Sequence, residues 1–251
     1  EIWKGLVGSE MCIRDRNRLV VPASEVSEHF INALLAREDS RFYEHDGVDY
    51  IGVLRAFVLN LKAGGFEQGA STLTMQLARN AYGNRDKTIS RKLLEVAIAK
   101  RIERNYSKEE ILGFYMNRIY FGAGLYGIER ASQGFFMKPA SELTAGEGAM
   151  LAGVIRGPSL LNPFRSIEDA KGTRDEVLAR MVAEKTVTQA EADAAKNETI
   201  TLRPPDKRLA SGSYTLQAVF DLLSTFLDPI DIESGGPVSY THLTLPTMDS
   251  V

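Results

Sequence analysis

A glutamate beside aromatic side chains and a downstream group of cations are the features of this sequence best suited to chemistry. Glu38 lies late in an apolar segment and close to Phe42 and Tyr43. A carboxyl group held against such neighbours binds a proton more tightly than one in water, so Glu38 is a candidate proton acceptor near neutral pH. The alternative is a helix-terminal glutamate that pairs with Arg37 or Arg41.

The downstream cations are Arg79, Lys87, Arg91 and Lys92. Arginine suits two-point contacts with phosphate oxygens and lysine supplies a point charge, so this group could bind a diphosphate. Arg91, Lys92 and Glu95 also have the spacing of neighbours on one helix face. An ordinary helix pair between arginine and glutamate, worth about 0.3–0.5 kcal/mol, is therefore the alternative.

Hydroxyl and amide side chains fill the segment that leads to the first of these cations. Gly69-Ala70-Ser71-Thr72 predicts a helix start whose free N–H groups could bind an anion, although a Ser/Thr N-cap explains it equally well. Gln76, Arg79 and Asn80 then share one face of the predicted helix. That face is either a binding surface or solvated.

A polar turn follows Glu38. His45-Asp46-Gly47 predicts a turn in which His45 is a local hydrogen-bonding strut and not a metal ligand. Asp49 is most simply the N-cap of the next helix.

The composition limits the classes of protein that fit. The chain is 44% hydrophobic and 25% charged, which suits one large domain with a buried core. A net charge of −3 argues against a dedicated nucleic-acid binder. The single cysteine, Cys12, excludes an internal disulfide and a cysteine-based zinc site. The sequence contains no run of 18 apolar residues and no signal-peptide pattern.

Helical periodicity dominates, and the alternation typical of strands is almost absent before residue 199, so we predict a mainly α fold. Glycine, proline and capping residues divide the pattern into helices. The predicted helices span 25–44, 49–63, 72–81, 88–104, 107–116, 128–137, 144–156 and two segments within 167–198. The apolar segment 57–66 is either buried core or a mobile segment that seats in a bilayer surface.

Both ends of the sequence differ in character from the rest. Segments 10–16 and 238–247 resemble translated adapter sequence, so we expect a non-native leader at 1–16 and a non-native tail at 238–251. We expect the globular domain at 17–203 and a connector at 204–237, and a natural protein that extends beyond both ends.

Five ordered segments resemble the motifs of the peptidoglycan glycosyltransferase family (glycosyltransferase family 51), found in class A penicillin-binding proteins. The segments are 38–49, 69–80, 91–95, 107–122 and 143–163, and the resemblance covers roughly residues 18–200. The sequence departs from the family pattern at three positions. Met75 stands where many members carry glutamine, Gly113 where glutamate is usual, and Arg79 where lysine is common.

The resemblance implies a lysozyme-like, two-lobed helical domain whose small lobe faces a membrane. It implies that Glu38 is the general base that deprotonates the 4-hydroxyl of an acceptor sugar. The oxygen then attacks the anomeric carbon of a lipid-linked donor glycan with inversion, and undecaprenyl diphosphate leaves. Glu95 is the second catalytic acidic residue by the same resemblance. The implied substrate-binding residues are Asp39, His45, Ser71, Thr72, Gln76, Arg79, Asn80, Lys87, Arg91, Lys92 and Asn117.

The implied substrates are lipid II and the growing glycan strand, at the outer face of the bacterial inner membrane, with no nucleic-acid partner. The resemblance further implies a membrane contact through 57–66 and a fused transpeptidase domain that follows the connector. No cofactor is obligatory, and a divalent cation such as Mg or Mn could accompany the diphosphate.

Two rival functions remain open at this level. A lysozyme-like hydrolase needs one acidic glutamate and has little use for four cations between 79 and 92. A catalytically silent module that holds lipid-linked precursor has no need of both Glu38 and Glu95. The sequence therefore favours the transferase.

Overall fold

A computed structural model describes residues 19–63, 71–82 and 88–204 of the chain. Its ten α-helices are α1 (Glu28–Glu38), α2 (Tyr50–Ala63), α3 (Leu73–Tyr82), α4 (Ile89–Glu103), α5 (Lys108–Met116), α6 (Ile128–Phe136), α7 (Ala145–Val154), α8 (Pro158–Leu161), α9 (Ile167–Ala183) and α10 (Gln189–Asn197). Short 3-10 turns occupy Ala23–Glu25, Phe42–Glu44 and Ala140–Glu142. The only strand-like pairing within these ranges is an isolated antiparallel bridge between Tyr120 and Tyr126. The predicted mainly α class is confirmed.

Three of the predicted helix starts, at 88, 107 and 188, are capped by hydroxyl side chains. The Ser107 hydroxyl accepts from the Glu110 backbone N–H, and the Glu110 carboxylate accepts from the Ser107 N–H, which completes a capping box at α5. Thr188 begins α10 in the same way, and Thr88 caps α4. Each such cap stabilises its helix by about 1 kcal/mol.

The prediction of one continuous helix over 25–44 is wrong. Helix α1 begins after Ser27, whose hydroxyl donates to the Leu143 carbonyl oxygen at 2.7 Å. It ends before Asp39, whose carboxylate accepts from the Leu73 backbone N–H at 2.9 Å. Both limits are tertiary contacts, which helical periodicity cannot reveal. As a consequence Glu38 is the last residue of α1.

Helix α7 is the centre of the core, and every residue from Gly146 to Val154 is buried. Its glycines permit the close approach of its neighbours. A Cβ at Gly148 would lie 2.9 Å from the Phe30 backbone nitrogen on α1, and one at Gly153 would lie 2.7 Å from the Thr173 hydroxyl on α9. Helices α1, α7 and α9 therefore form one tightly packed layer, which holds the C-terminal end of α1 in place.

Helix α3 packs against α4 and α5. Met75 on α3 is buried with Val48 and Ala99 in a small apolar cluster. This surrounding explains why a methionine is accommodated where many family members carry glutamine, since its thioether side chain fills an apolar gap.

Within the described ranges, no helix has both the length and the hydrophobicity needed to span a membrane. Large apolar side chains are nevertheless exposed along α2. They are Ile51, Val53, Leu54, Val58, Leu59 and Leu61, and Leu93 and Leu94 on α4 are exposed as well. Residues 64–66 of the predicted membrane segment and almost all of the predicted connector lie outside the described residues.

Candidate active site

A cleft of about 550 Å³ contains six of the predicted site residues, contributed by α1, by α3 and by the residues that follow or precede these helices. They are Glu38, Asp39, Ser71, Thr72, Gln76 and Arg79. Three further arginines that line the same cleft were not predicted from the sequence: Arg55, Arg156 and Arg180. Arg156 comes directly before Gly157-Pro158 at the end of the fifth motif, a position that could have flagged it. Nothing in the sequence marks Arg180.

The Glu38 carboxylate lies at the end of α1 with 17% of its side chain exposed. Its Oε2 accepts a hydrogen bond from Gln76 Nε2 at 2.8 Å. Of the two predicted alternative pairings, only the one with Arg37 occurs, as a long ion pair. Arg41 pairs with Glu44 and Asp49 instead, and Arg37 Nε lies 3.9 Å from Glu38 Oε1, which is too long for a hydrogen bond.

The Gln76 amide is bonded at both ends. Its nitrogen donates to Glu38, and its Oε1 accepts from the Tyr115 hydroxyl at 3.0 Å. We predicted Gln76 as a substrate ligand, and the structure shows that it contacts the proposed base. Sequence reasoning missed Tyr115 as part of the site, because its spacing on α5 marks it only as a core residue.

The Glu95 carboxylate is surrounded by cations from two helices and is 3% exposed. Arg79 Nε donates to Oε1 at 2.9 Å, Lys92 Nζ donates to Oε2 at 3.0 Å, and Arg91 Nε lies 3.2 Å from Oε1. Lys92 Nζ also donates to the Ser71 hydroxyl at 2.6 Å. The structure thus brings together Ser71 and three of the four predicted cations, while Lys87 lies outside the described residues.

The charge balance of this cluster follows from its geometry. Burial acts to raise the pKa of Glu95, but hydrogen bonds from Arg79 and Lys92 and their positive charges outweigh it, so its pKa lies below the ordinary value of 4.5. Three cations around one ionised carboxylate leave an excess of positive charge. Such a site favours an anion with more than one negative charge.

Replacing Glu95 by glutamine should lower the free energy of unfolding at pH 7 by about 2 kcal/mol. Removal of the carboxylate leaves the charges of its cation partners uncompensated, and the partial exposure of those cations to solvent limits the cost. Because folding lowers the pKa of Glu95, its stabilisation is complete above its unfolded value and is lost as the pH falls through the folded-state pKa. Urea unfolding of both proteins at pH 7 and pH 3 should show the difference shrinking at pH 3.

The exposed Glu184 provides a matched control for this experiment. Glu184→Gln should leave the unfolding free energy nearly unchanged at both pH values. A Glu95→Gln difference that is as large at pH 3 as at pH 7 would contradict the ion-pair explanation.

Asp39, which lines the cleft, forms a buried strut with His45. The Gly47 backbone N–H donates to His45 Nδ1 at 3.2 Å, so the ring carries its hydrogen on Nε2 and donates it to Asp39 Oδ1 at 3.0 Å. The predicted role of His45 as a local strut is confirmed. The expected free N–H groups at the start of α3 are partly engaged, because Leu73 donates to Asp39 and Met75 to the Thr72 hydroxyl.

Replacing Asp39 by asparagine should lower the free energy of unfolding by about 1–3 kcal/mol. An amide oxygen in the Oδ2 position can accept from Leu73 and, at 3.1 Å, from His45 Nε2. The NH2 group then replaces the Oδ1 acceptor 3.0 Å from the same His45 nitrogen, so two donors oppose each other there. Urea denaturation measures the effect, and Asp46→Asn at the neighbouring exposed position is the control. Equal stabilities of the two variants would refute the strut.

Six described residues of the predicted site do not line the cleft. His45 belongs to the buried strut, and Glu95, Arg91 and Lys92 form the cation cluster. The other two are Asn80 and Asn117. Asn80 is exposed on α3. Asn117 directs its amide into the protein, donating to the carbonyl oxygens of Val21 and Gly113 and accepting from the Val21 N–H at 3.1 Å. Its amide therefore ties the segment before α1 to the end of α5.

No group of three or more His, Cys, Asp or Glu side chains suited to a metal ion occurs among the described residues. The best-placed carboxylate, Glu95, is already compensated by three cations. These donors do not fit a metal held by the protein alone. A divalent cation brought in with a diphosphate stays a prediction.

The helical fold carries a polar cleft lined by carboxylates and arginines, as in a candidate enzyme, and comparison with known proteins identifies its family. Residues 5–182 match the family model described as transglycosylase. The chain belongs to the transglycosylase family. The matched range begins inside the expected leader, and the predicted domain boundaries stay predictions.

Two relatives that are similar in sequence agree with this assignment. A Cupriavidus necator protein named as a transglycosylase is 46% identical over 73% of this chain and 79% of its own length. Penicillin-binding protein 1A of Vibrio cholerae is 45% identical over 74% of this chain and 22% of its own length. A crystal structure of penicillin-binding protein 1A from Haemophilus influenzae matches with a TM-score of 0.45 and 23% identity, over 83% of this chain and 21% of that one. The chain spans about a fifth of the penicillin-binding proteins 1A that it matches.

Proposed function

We propose that this chain is a peptidoglycan glycosyltransferase that polymerises lipid II into glycan strands for the bacterial cell wall, and so contributes to cell shape. The observation that carries the proposal is that α3 connects a carboxylate in the cleft to a cation cluster, one member of which, Arg79, lines the same cleft. Gln76 and Arg79 lie one turn apart on α3, and the first bonds Glu38 while the second bonds Glu95.

Inverting transfer needs a base on one face of the sugar ring and stabilisation of the leaving group on the other. In this proposal Glu38 accepts the proton of the acceptor 4-hydroxyl as the new bond to the anomeric carbon forms. The bond from that carbon to the diphosphate oxygen breaks, and undecaprenyl diphosphate leaves with the electron pair. Arg79, Arg91 and Lys92 stabilise its negative charge, so that cations replace the general acid of a hydrolase.

The exposed apolar side chains of α2 support a contact with the membrane that holds a lipid-linked substrate. A helix with such a face can lie in the interfacial layer without crossing it. We therefore place the enzyme at the outer face of the inner membrane, with α2 toward the lipid. The longer relatives support a fused transpeptidase domain in the full-length protein.

Incubation of the purified chain with labelled lipid II tests the function. We expect a ladder of glycan strands and release of one undecaprenyl diphosphate for each bond formed. New reducing ends from finished glycan, without polymer, would instead indicate the hydrolase. Binding of lipid II without turnover would indicate the silent module.

A further inference from the structure

Tyr115 does not line the cleft, and the reaction proposed above gives it no role. It is 2% exposed on α5, and its hydroxyl donates to Gln76 Oε1 at 3.0 Å. Burial raises the pKa of Tyr115 well above its ordinary value of 10.0, and the negative charge of Glu38 adds to the effect. The phenol therefore keeps its hydrogen at every pH at which the enzyme would work.

That hydrogen sets the orientation of the Gln76 amide. With Oε1 occupied as the acceptor from Tyr115, the NH2 group faces Glu38 Oε2 at 2.8 Å. The flipped amide would place an amide oxygen against an ionised carboxylate oxygen, and two acceptors would oppose each other. The hydrogen bonds thus run in one direction, from Tyr115 through Gln76 to Glu38.

The two oxygens of Glu38 consequently differ. Oε2 accepts from Gln76, whereas the cation paired with Oε1, Arg37, has its Nε at 3.9 Å. Among the described residues, none donates a hydrogen bond to Oε1. If a proton arrives on Oε1, Oε2 becomes the carbonyl oxygen of the acid and still accepts from Gln76. The bond to Gln76 therefore holds the side chain in both protonation states.

We propose that Tyr115 is a positioning residue for the transfer reaction: through Gln76 it orients the Glu38 carboxylate so that Oε1 receives the proton of the acceptor hydroxyl. This proposal rests on the proposed function, in which Glu38 is the base. The proton moves from the sugar oxygen to Oε1 as that oxygen bonds to the anomeric carbon, and no further reactant is needed.

Tyr115→Phe keeps the ring and removes only the hydrogen-bond donor. We expect kcat for lipid II polymerisation to fall about tenfold, as for loss of one buried hydrogen bond, with KM within about twofold of the original value. Hydrogen bonds donated to a carboxylate favour its ionised form. Weakening them should move the acidic limb of the pH–rate profile to higher pH, which a loss of packing alone does not do.

Tyr106 provides the matched control, because its ring packs against Phe114 of α5 and it does not line the cleft. Tyr106→Phe should keep both kcat and the pH–rate profile. Gln76→Met interrupts the same chain of hydrogen bonds at its middle. If Tyr115 acts through Gln76, adding Tyr115→Phe to Gln76→Met should lower kcat by less than twofold more.

The outcomes separate the two proposals. If the unchanged chain makes no polymer, or Glu38→Gln polymerises normally, the proposed function fails. If the unchanged chain is active and Glu38→Gln is not, a Tyr115→Phe variant with unaltered kcat and pH profile overturns the positioning role alone. Full additivity of the Tyr115 and Gln76 substitutions overturns it as well. Should Tyr115→Phe not fold, an unshifted acidic limb in Gln76→Met does the same.

Discussion

Replacing Glu38 by glutamine should lower the rate of glycan polymerisation by at least about 100-fold, the effect expected for loss of a general base. A glutamine side chain keeps the size and can still accept from the Gln76 amide through its oxygen. It cannot accept the proton of a sugar hydroxyl. The measurement is the initial rate of strand formation from labelled lipid II at saturating substrate.

The controls for this experiment lie in the same segment. Glu44 is 63% exposed at its side chain and pairs with Arg41, so Glu44→Gln removes one carboxylate without entering the cleft. This variant should polymerise at the original rate. Thermal unfolding of Glu38→Gln should show an intact fold. Near-normal strand synthesis by folded Glu38→Gln would rule out the assigned base.

Replacing Arg91 and Lys92 together by glutamine should weaken the binding of undecaprenyl diphosphate about 100-fold. Hydrogen bonds to charged groups contribute roughly 1.5–3 kcal/mol each, and about 1.4 kcal/mol corresponds to a tenfold change in affinity. Glu95 would then keep only Arg79 as a partner, so the excess positive charge disappears. Binding of the labelled lipid in detergent micelles measures the change.

A second double variant on the same helix separates this effect from a general loss of charge. Arg101 and Arg104 are exposed at the other end of α4, and their replacement by glutamine changes the net charge equally. That variant should bind the lipid as the unchanged chain does. If the Arg91 and Lys92 variant loses only thermal stability and binds normally, these cations serve the helix and not the substrate.

Much of the local structure was predictable because it depends on neighbouring residues. Ser107, Thr144 and Thr188 each begin a helix with a glutamate three residues later, and each forms a capping box. Such motifs involve one turn of chain and therefore need no knowledge of the fold. The ordered family motifs likewise indicated the right family.

The end of α1 was not predictable in this way. Helical spacing continues past Glu38, and the helix stops because Asp39 bonds Leu73, which lies 34 positions away in sequence. The hydrogen bonds of Gln76 were not predictable for the same reason, since its amide partners come from α1 and α5. Sequence spacing on one helix carries no information on these contacts.

Residue types and short-range spacing predicted which chemical groups are present: a carboxylate, an amide and several cations. They also predicted the helices that carry these groups, because periodicity and capping act within a few residues. The enclosure of Glu95 by three cations, the inward direction of Asn117, and the Tyr115–Gln76–Glu38 connection arose from packing between helices. Long-range contacts settle which polar atoms bond to one another and which remain for a substrate, since a buried polar group must find its partner wherever the chain brings one.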